Sequence, residues 1–180
     1  LSIIAKSKKT IAVAGTSGKS TTSAMLFQIL LDANFEPSII SGAGLTSIIK
    51  QGKIGNAAVG KGEWLIIEAD ESDGSVVQYH PEIGLLLNID KDHQEIDELI
   101  ELFTIFKNNT NSLFIVNQSN TLAKSLSANP EIDFGFENKE AGYSAENFKQ
   151  DGLSLTFEIQ NQKFQMNSLG QHSVENATAA

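Results

Sequence analysis

The 180-residue sequence predicts an α/β fold: a doubly wound, mostly parallel sheet, with a small antiparallel β-sheet after residue 130. Three observations predict it. Continuous apolar runs (Thr10–Gly15, Trp64–Ala69, Ile83–Ile89) suit parallel strands buried on both faces. Stretches of helical period separate several of the strands, the alternation expected of a parallel sheet covered by helices. Past Asn129-Pro130 the helical period stops, and short strand candidates follow at hairpin spacing.

Taken in order, TIAVAG over Thr10–Gly15 reads as a buried strand closed by glycine, after a weakly amphipathic stub, Leu1–Lys9. Ala24, Leu26, Phe27, Leu30 and Leu31 recur at helical spacing within Ser20–Ala33, and Asn34 and Pro37 stop that helix. PSIIS over Pro37–Ser41 is a short strand. The Gly-rich stretch Thr46–Gly62 reads as a long loop or small hairpin. WLIIEA and IGLLLNI are the central strands, joined by an acidic, Ser-containing loop. Ile96, Leu99, Ile100, Phe103 and Phe106 mark the second clear helix. Leu113–Val116 is a strand and Asn120–Ser127 a short helix. Strands are then expected over Ile132–Phe136, Tyr143–Phe148, Leu153–Ile159 and Lys163–Leu169, with turns at Asp151-Gly152 and Asn161-Gln162. Residues 170–180 read as the start of a further helix.

Composition narrows the function classes. With 41% hydrophobic and 19% charged residues the chain is neither disordered nor a coiled coil. It has no Cys, hence no disulfide framework or thiolate metal site, which fits a reducing, cytoplasmic setting. A formal charge of −9 argues against nonspecific binding to nucleic acid or anionic membrane. No apolar stretch approaches the ~20 residues of a spanning helix. All 13 basic residues are Lys.

The chemistry gathers where the strands end. After the first strand comes Gly15-Thr16-Ser17-Gly18-Lys19-Ser20-Thr21. A glycine turn running into a helix aims backbone N–H groups at one point, where the helix dipole adds positive potential, and so suits a phosphate. In this P-loop reading Lys19 reaches the β- and γ-phosphates and the Ser20 hydroxyl ligates Mg²⁺. The full G-x-x-x-x-G-K-[ST] pattern is absent, because Val13 stands five residues before Gly18. What remains is a compressed form. The Trp64–Ala69 strand ends in Glu68-Ala69-Asp70-Glu71-Ser72-Asp73, and a carboxylate there is placed to hold a divalent ion. Strand alternation would put Glu68 and Asp70 on one face, with Ala69 and Glu71 on the other. A solvated acidic loop accounts for Glu71 and Asp73, but poorly for Glu68 after an apolar run. The Ile83–Ile89 strand ends in Asn88-Ile89-Asp90-Lys91-Asp92-His93, where neutral imidazole could bind a metal. Near the end, His172 and Asn176 are four residues apart and share one helix face.

GTSGKST, EADESD, NIDKDH and GQHSVENATAA, in that order over nearly the whole chain, resemble the central ATP-binding domain of the Mur ligase family. The compressed phosphate loop is itself a trait of that family. EADESD is most similar to the branch that joins L-alanine to UDP-N-acetylmuramate, and to the related branch that attaches recycled tripeptide. Ser17 and Ser173 stand where the alanine-adding branch usually has His and Asn. Other branches carry a carbamylated Lys where the count places Thr104, so its absence favours the alanine type.

The resemblance implies roles. Gly15 to Thr21 would cradle the phosphates of ATP, with Lys19 on the β/γ-phosphates. Ser20 and Glu68 would hold Mg²⁺, and His93 would help to bind a second Mg²⁺. Asn176 would contact adenine, with His172 close by. The implied reaction is amide formation through an acyl phosphate in peptidoglycan synthesis. It also implies one domain (1–180, comprising 10–130, 131–169 and 170–180) from a three-domain protein, inactive without its N- and C-terminal partners. A folylpolyglutamate-type ligase shares the phosphate loop but is not expected to carry EADESD. A GTPase should show an N-K-x-D-like guanine motif, and none occurs. A non-catalytic nucleotide-binding module remains open.

Overall fold

Strand β1 (Lys9–Ala14) runs through the interior of a six-stranded sheet, which also contains β2 (Ser38–Ile40), β3 (Ala57–Ala58), β4 (Trp64–Ala69), β5 (Ile83–Leu86) and β6 (Leu113–Val116). The sheet order is β3-β2-β4-β1-β5-β6. This computed structural model describes residues 8–50, 52, 54–91 and 95–180; most of the expected N-terminal stub lies outside them. Every pairing is parallel except β2 with β3. The Gly-rich stretch therefore returns as a short antiparallel edge strand, after a single-turn helix α2 (Thr46–Ile49).

Helix α1 (Lys19–Asp32) covers one face, where Phe27 packs in a cluster with Ile39, Leu45, Ile48 and Ile66. Helix α3 (Ile96–Asn108) covers the other, where Leu99, Phe103 and Phe106 meet Ala12, Ala14, Leu65, Ile67 and Leu86. Adjacent residues such as Ile66 and Ile67 divide between the two clusters, the period-two consequence of a pleated strand. Burial on both faces explains why these strands read as continuous apolar runs. Helix α3 has Asp97 and Glu98 in its first turn and Lys107 in its last, complementing its dipole.

A short helix, α4 (Thr121–Lys124), follows β6. The chain then forms a second sheet, ordered β10-β9-β8-β7, from β7 (Phe134–Phe136), β8 (Tyr143–Asp151), β9 (Ser154–Ile159) and β10 (Gln162–Asn167). This sheet is mixed, not antiparallel as the sequence suggested, because β7 and β8 pair in parallel. The connecting loop doubles back beside residues 130–133, with the Gly142 amide donating to the Pro130 carbonyl and the Tyr143 amide to that of Asp133. A Cβ on Gly142 would sit 1.8 Å from the Glu131 carbonyl oxygen, so only glycine permits this approach. The β9–β10 turn is centred one residue earlier than expected: Gln160 and Asn161 both have positive φ, as a tight two-residue hairpin requires.

Helix α5 (Gln171–Ala179) packs back on this sheet through buried Val174, beside Ala145, Leu155 and Phe157. The last eleven residues thus belong to the same body.

Asp133 ties the two sheets together. Fully buried, it accepts hydrogen bonds from the Val116 amide (2.9 Å), the Gln118 side-chain amide (2.6 Å) and the Ser127 hydroxyl. Asp133→Ala would strand these donors inside the protein. We expect urea unfolding to show a loss of about 2–4 kcal/mol. A loss within experimental error would contradict a linking role.

Candidate functional site

Parallel pairing sets Ala14 opposite Ala69 on one side and Leu86 on the other, so three strands deliver their following residues to one rim. The crevice beyond the carboxyl ends of such strands is where doubly wound folds bind ligands. The segments following β1, β4 and β5 meet there, and α5 closes one side.

The loop turns at Gly15 (φ 136°) and at Gly18 (φ 84°), the residue that starts α1. No side chain caps that helix start and no acid stands in its first turn. The first-turn amides of a helix have no acceptor within it. In α3 the acidic first-turn residues complement the helix dipole, and in α4 the Asn120 side chain caps the helix by accepting from the Ala123 amide. At α1 the amides face a cavity of about 330 Å³ lined by Thr16 to Thr21.

The Lys19 ammonium folds back over the loop. It donates to the Gly15 carbonyl at 2.8 Å and to the Glu71 carboxylate at 2.8 Å, and lies 3.9 Å from Asp70. The solvated-loop reading of Glu71 is therefore overturned, since Glu71 is only 6% exposed. The expected alternation of faces also fails. Strand β4 ends at Ala69, and the bend after it brings Asp70 and Glu71 together on Lys19. Asp73, by contrast, is in solvent, where the Ser75 side chain and amide hold its carboxyl below the ordinary value.

Glu68 takes the other side of the loop. One of its oxygens accepts from the Ser20 hydroxyl at 2.9 Å; the second accepts from the Ser41 hydroxyl and, at 3.0 Å, from the Gly42 amide. A carboxylate and a hydroxyl this close are hard oxygen donors of the kind Mg²⁺ takes, with water and phosphate completing the shell. His93 lies outside the described residues.

A second cavity of about 340 Å³ adjoins the loop, lined by Ser17, Gly18, Thr21, Asn117, Phe134, His172, Glu175 and Asn176, among others. Both predicted residues of α5 reach it. Glu175 accepts from the Asn117 side chain at 3.1 Å and from Gln171 at 2.7 Å. Thr104, at the counted lysine position, bonds its own helix at the Ile100 carbonyl.

The structure brings Gly15 to Thr21, Glu68, His172 and Asn176 to one rim. The sequence motifs assign no role to Ser41, Gly42, Glu71, Asn88, Asn117 or Glu175. Asn88 and Glu71 sat inside segments already singled out, while Ser41 and Asn117 follow β2 and β6, the same strand ends that carry the known motifs.

Gly18 couples the loop to α5. A Cβ there would lie 2.5 Å from Asn176 Oδ1, in a backbone region that side chains disfavour. Gly18→Ala should cost about 1–2 kcal/mol in thermal unfolding and shift the Asn176 side-chain amide resonances. Unchanged resonances would contradict the contact.

Comparison with known proteins agrees with this architecture. The profile of the Mur ligase middle domain matches residues 13–180. A UDP-N-acetylmuramate–L-alanine ligase of Gloeothece citriformis is 34% identical, covering 100% of this chain and 37% of its own length. The chain thus spans little more than a third of that relative. Among solved structures, the UDP-N-acetylmuramate–alanine ligase of Thermotoga maritima superposes with a TM-score of 0.83 at 24% identity, over 98% of this chain and 41% of that one. The UDP-N-acetylmuramate:L-alanyl-γ-D-glutamyl-meso-diaminopimelate ligase from Neisseria meningitides gives 0.79 at 20% identity, over 98% and 60%. The fold, the ordered motifs and the family match agree, and the chain belongs to the Mur ligase family as its middle domain.

Proposed function

We propose that this domain binds Mg-ATP for a ligase that joins L-alanine, or a peptide, to the carboxylate of UDP-N-acetylmuramate. The observation that carries the reading is the uncapped start of α1, with Lys19 on one side and the Ser20–Glu68 pair on the other. The triphosphate would lie on the amides of Gly18 to Thr21. Lys19 would donate to the β- and γ-phosphates, and the adenosine would occupy the cavity beside Asn176 and His172.

Ser20 and Glu68 would hold Mg²⁺, which when bound offsets phosphate charge. A carboxylate oxygen of the acceptor attacks the γ-phosphorus and ADP leaves. The amine nitrogen then attacks the acyl carbon and inorganic phosphate leaves, which completes the amide. The domain's part is to hold the γ-phosphate in line and to neutralise charge. The acceptor and the amine would be held by flanking N- and C-terminal domains, as the 37% coverage of a relative supports. The setting is the cytoplasm, where ATP is available. Among the described residues no helix is long and apolar enough to cross a membrane.

Lys19→Ala removes a charged donor from the phosphates. Hydrogen bonds to charged groups contribute about 1.5–3 kcal/mol, so calorimetry should show Mg-ATP affinity about 10- to 100-fold weaker. Equal affinity in wild type and variant would contradict the assignment of the loop.

A further inference from the structure

The loop between Gly15 and Gly18 has only Thr16 and Ser17, where the standard phosphate-loop pattern has four residues between its glycines. A loop this short has little backbone with which to brace itself. Resting on the nucleotide reading above, we propose that Asn88 is a positioning residue whose side chain substitutes for the missing loop backbone.

Its carboxamide behaves as a peptide group would. Oδ1 accepts from the Ser17 amide at 2.9 Å, and Nδ2 donates to the Ser17 carbonyl at 3.1 Å. Both main-chain groups of Ser17 are thus paired by one side chain. Oδ1 also accepts from the Thr16 hydroxyl at 2.8 Å, and the Asn88 carbonyl accepts from the Thr16 amide at 3.3 Å. Close approach is needed for this, and glycine allows it: a Cβ on Gly15 would lie 3.1 Å from both the nitrogen and the oxygen of Asn88.

The bracing continues outward. Thr16 Oγ1 accepts from the Asp90 amide at 3.1 Å, and Asp90 in turn accepts from the Asn120 side chain at 3.1 Å. Asn120 also accepts from the Ile89 amide at 3.2 Å while it caps α4. The loop is therefore held from the segment after β5 and from a helix start, both fixed by the core.

This arrangement divides the labour of the loop. The amides of Thr16 and Ser17 are spent on Asn88, which leaves those of Gly18 to Thr21 to meet phosphate. Asn88 touches no phosphate in this account; it sets the angle at which the amides are presented. Aspartate would not serve, because it lacks the donor that Nδ2 offers to the Ser17 carbonyl.

The test pairs two readouts, amide hydrogen exchange by NMR without nucleotide and Mg-ATP titration calorimetry, on wild type, Asn88→Ala, Thr16→Val and the double variant. Wild type should protect the Ser17 amide from exchange. Asn88→Ala should lose that protection, keep the protection of the Thr22 amide inside α1, and bind Mg-ATP about tenfold more weakly. Thr16→Val, which keeps the bulk and removes only the hydroxyl, should weaken binding less. The double variant should be no weaker than Asn88→Ala alone, because both act through one brace. Rapid Ser17 exchange in wild type would overturn the brace, and unaltered Mg-ATP affinity in Asn88→Ala would overturn its role. Protected Ser17 in a wild-type chain that binds no Mg-ATP would instead sink the nucleotide reading, and the positioning role with it.

Discussion

Parallel pairing of β1 with both β4 and β5 forces three chain segments onto one edge of the sheet. Ala14, Ala69 and Leu86 are in register, so whatever follows each strand must share the space beyond it. The loop, Lys19, its acidic partners and Asn88 depend on that alignment. The loop after β1 supplies amides and Lys19, the bend after β4 supplies Asp70 and Glu71, and the exit from β5 supplies Asn88. A one-residue slip in the β1–β4 pairing would exchange faces along β4 and turn Glu68 away from Ser20.

The charges at this edge are unbalanced without a ligand. Lys19 is the cation of the loop, whereas Glu68, Asp70 and Glu71 are all near it or near Ser20. On the proposed nucleotide reading, a triphosphate would add further negative charge to the same small volume, and a divalent counter-ion would offset it. Lys19 itself is held rather than loose. Its ammonium is anchored to Gly15 and Glu71, so little side-chain freedom remains to be lost on binding.

Much of this was legible before any coordinates. The parallel strands announced themselves because burial on both faces demands unbroken apolar runs, as in Trp64–Ala69, and the tight turn into α1 because Gly15, Gly18, Lys19 and Ser20 follow one another in the sequence. What was not legible came from contacts distant in the chain. Asn88 lies 71 positions from Ser17, and Glu71 lies 52 from Lys19, so no local pattern links them. Local rules misled in two places. Alternation was extended past Ala69 although the strand stops there, and hairpin spacing was read as antiparallel pairing although Gly142 lets β8 enter beside β7 in parallel. His93, expected to help bind a metal, lies outside the described residues.

We expect the start of α1 to be a phosphate site already shaped by its surroundings. A crystal structure of this chain with Mg²⁺ and a non-hydrolysable ATP analogue tests it most directly. Phosphate oxygens are expected on the amides of Gly18 to Thr21 and on Lys19, the metal beside Ser20 and Glu68, and adenine next to Asn176. The Asn88 contacts to Thr16 and Ser17 should persist unchanged. A nucleotide bound elsewhere, or a loop that had to break from Asn88 to receive phosphate, would contradict it.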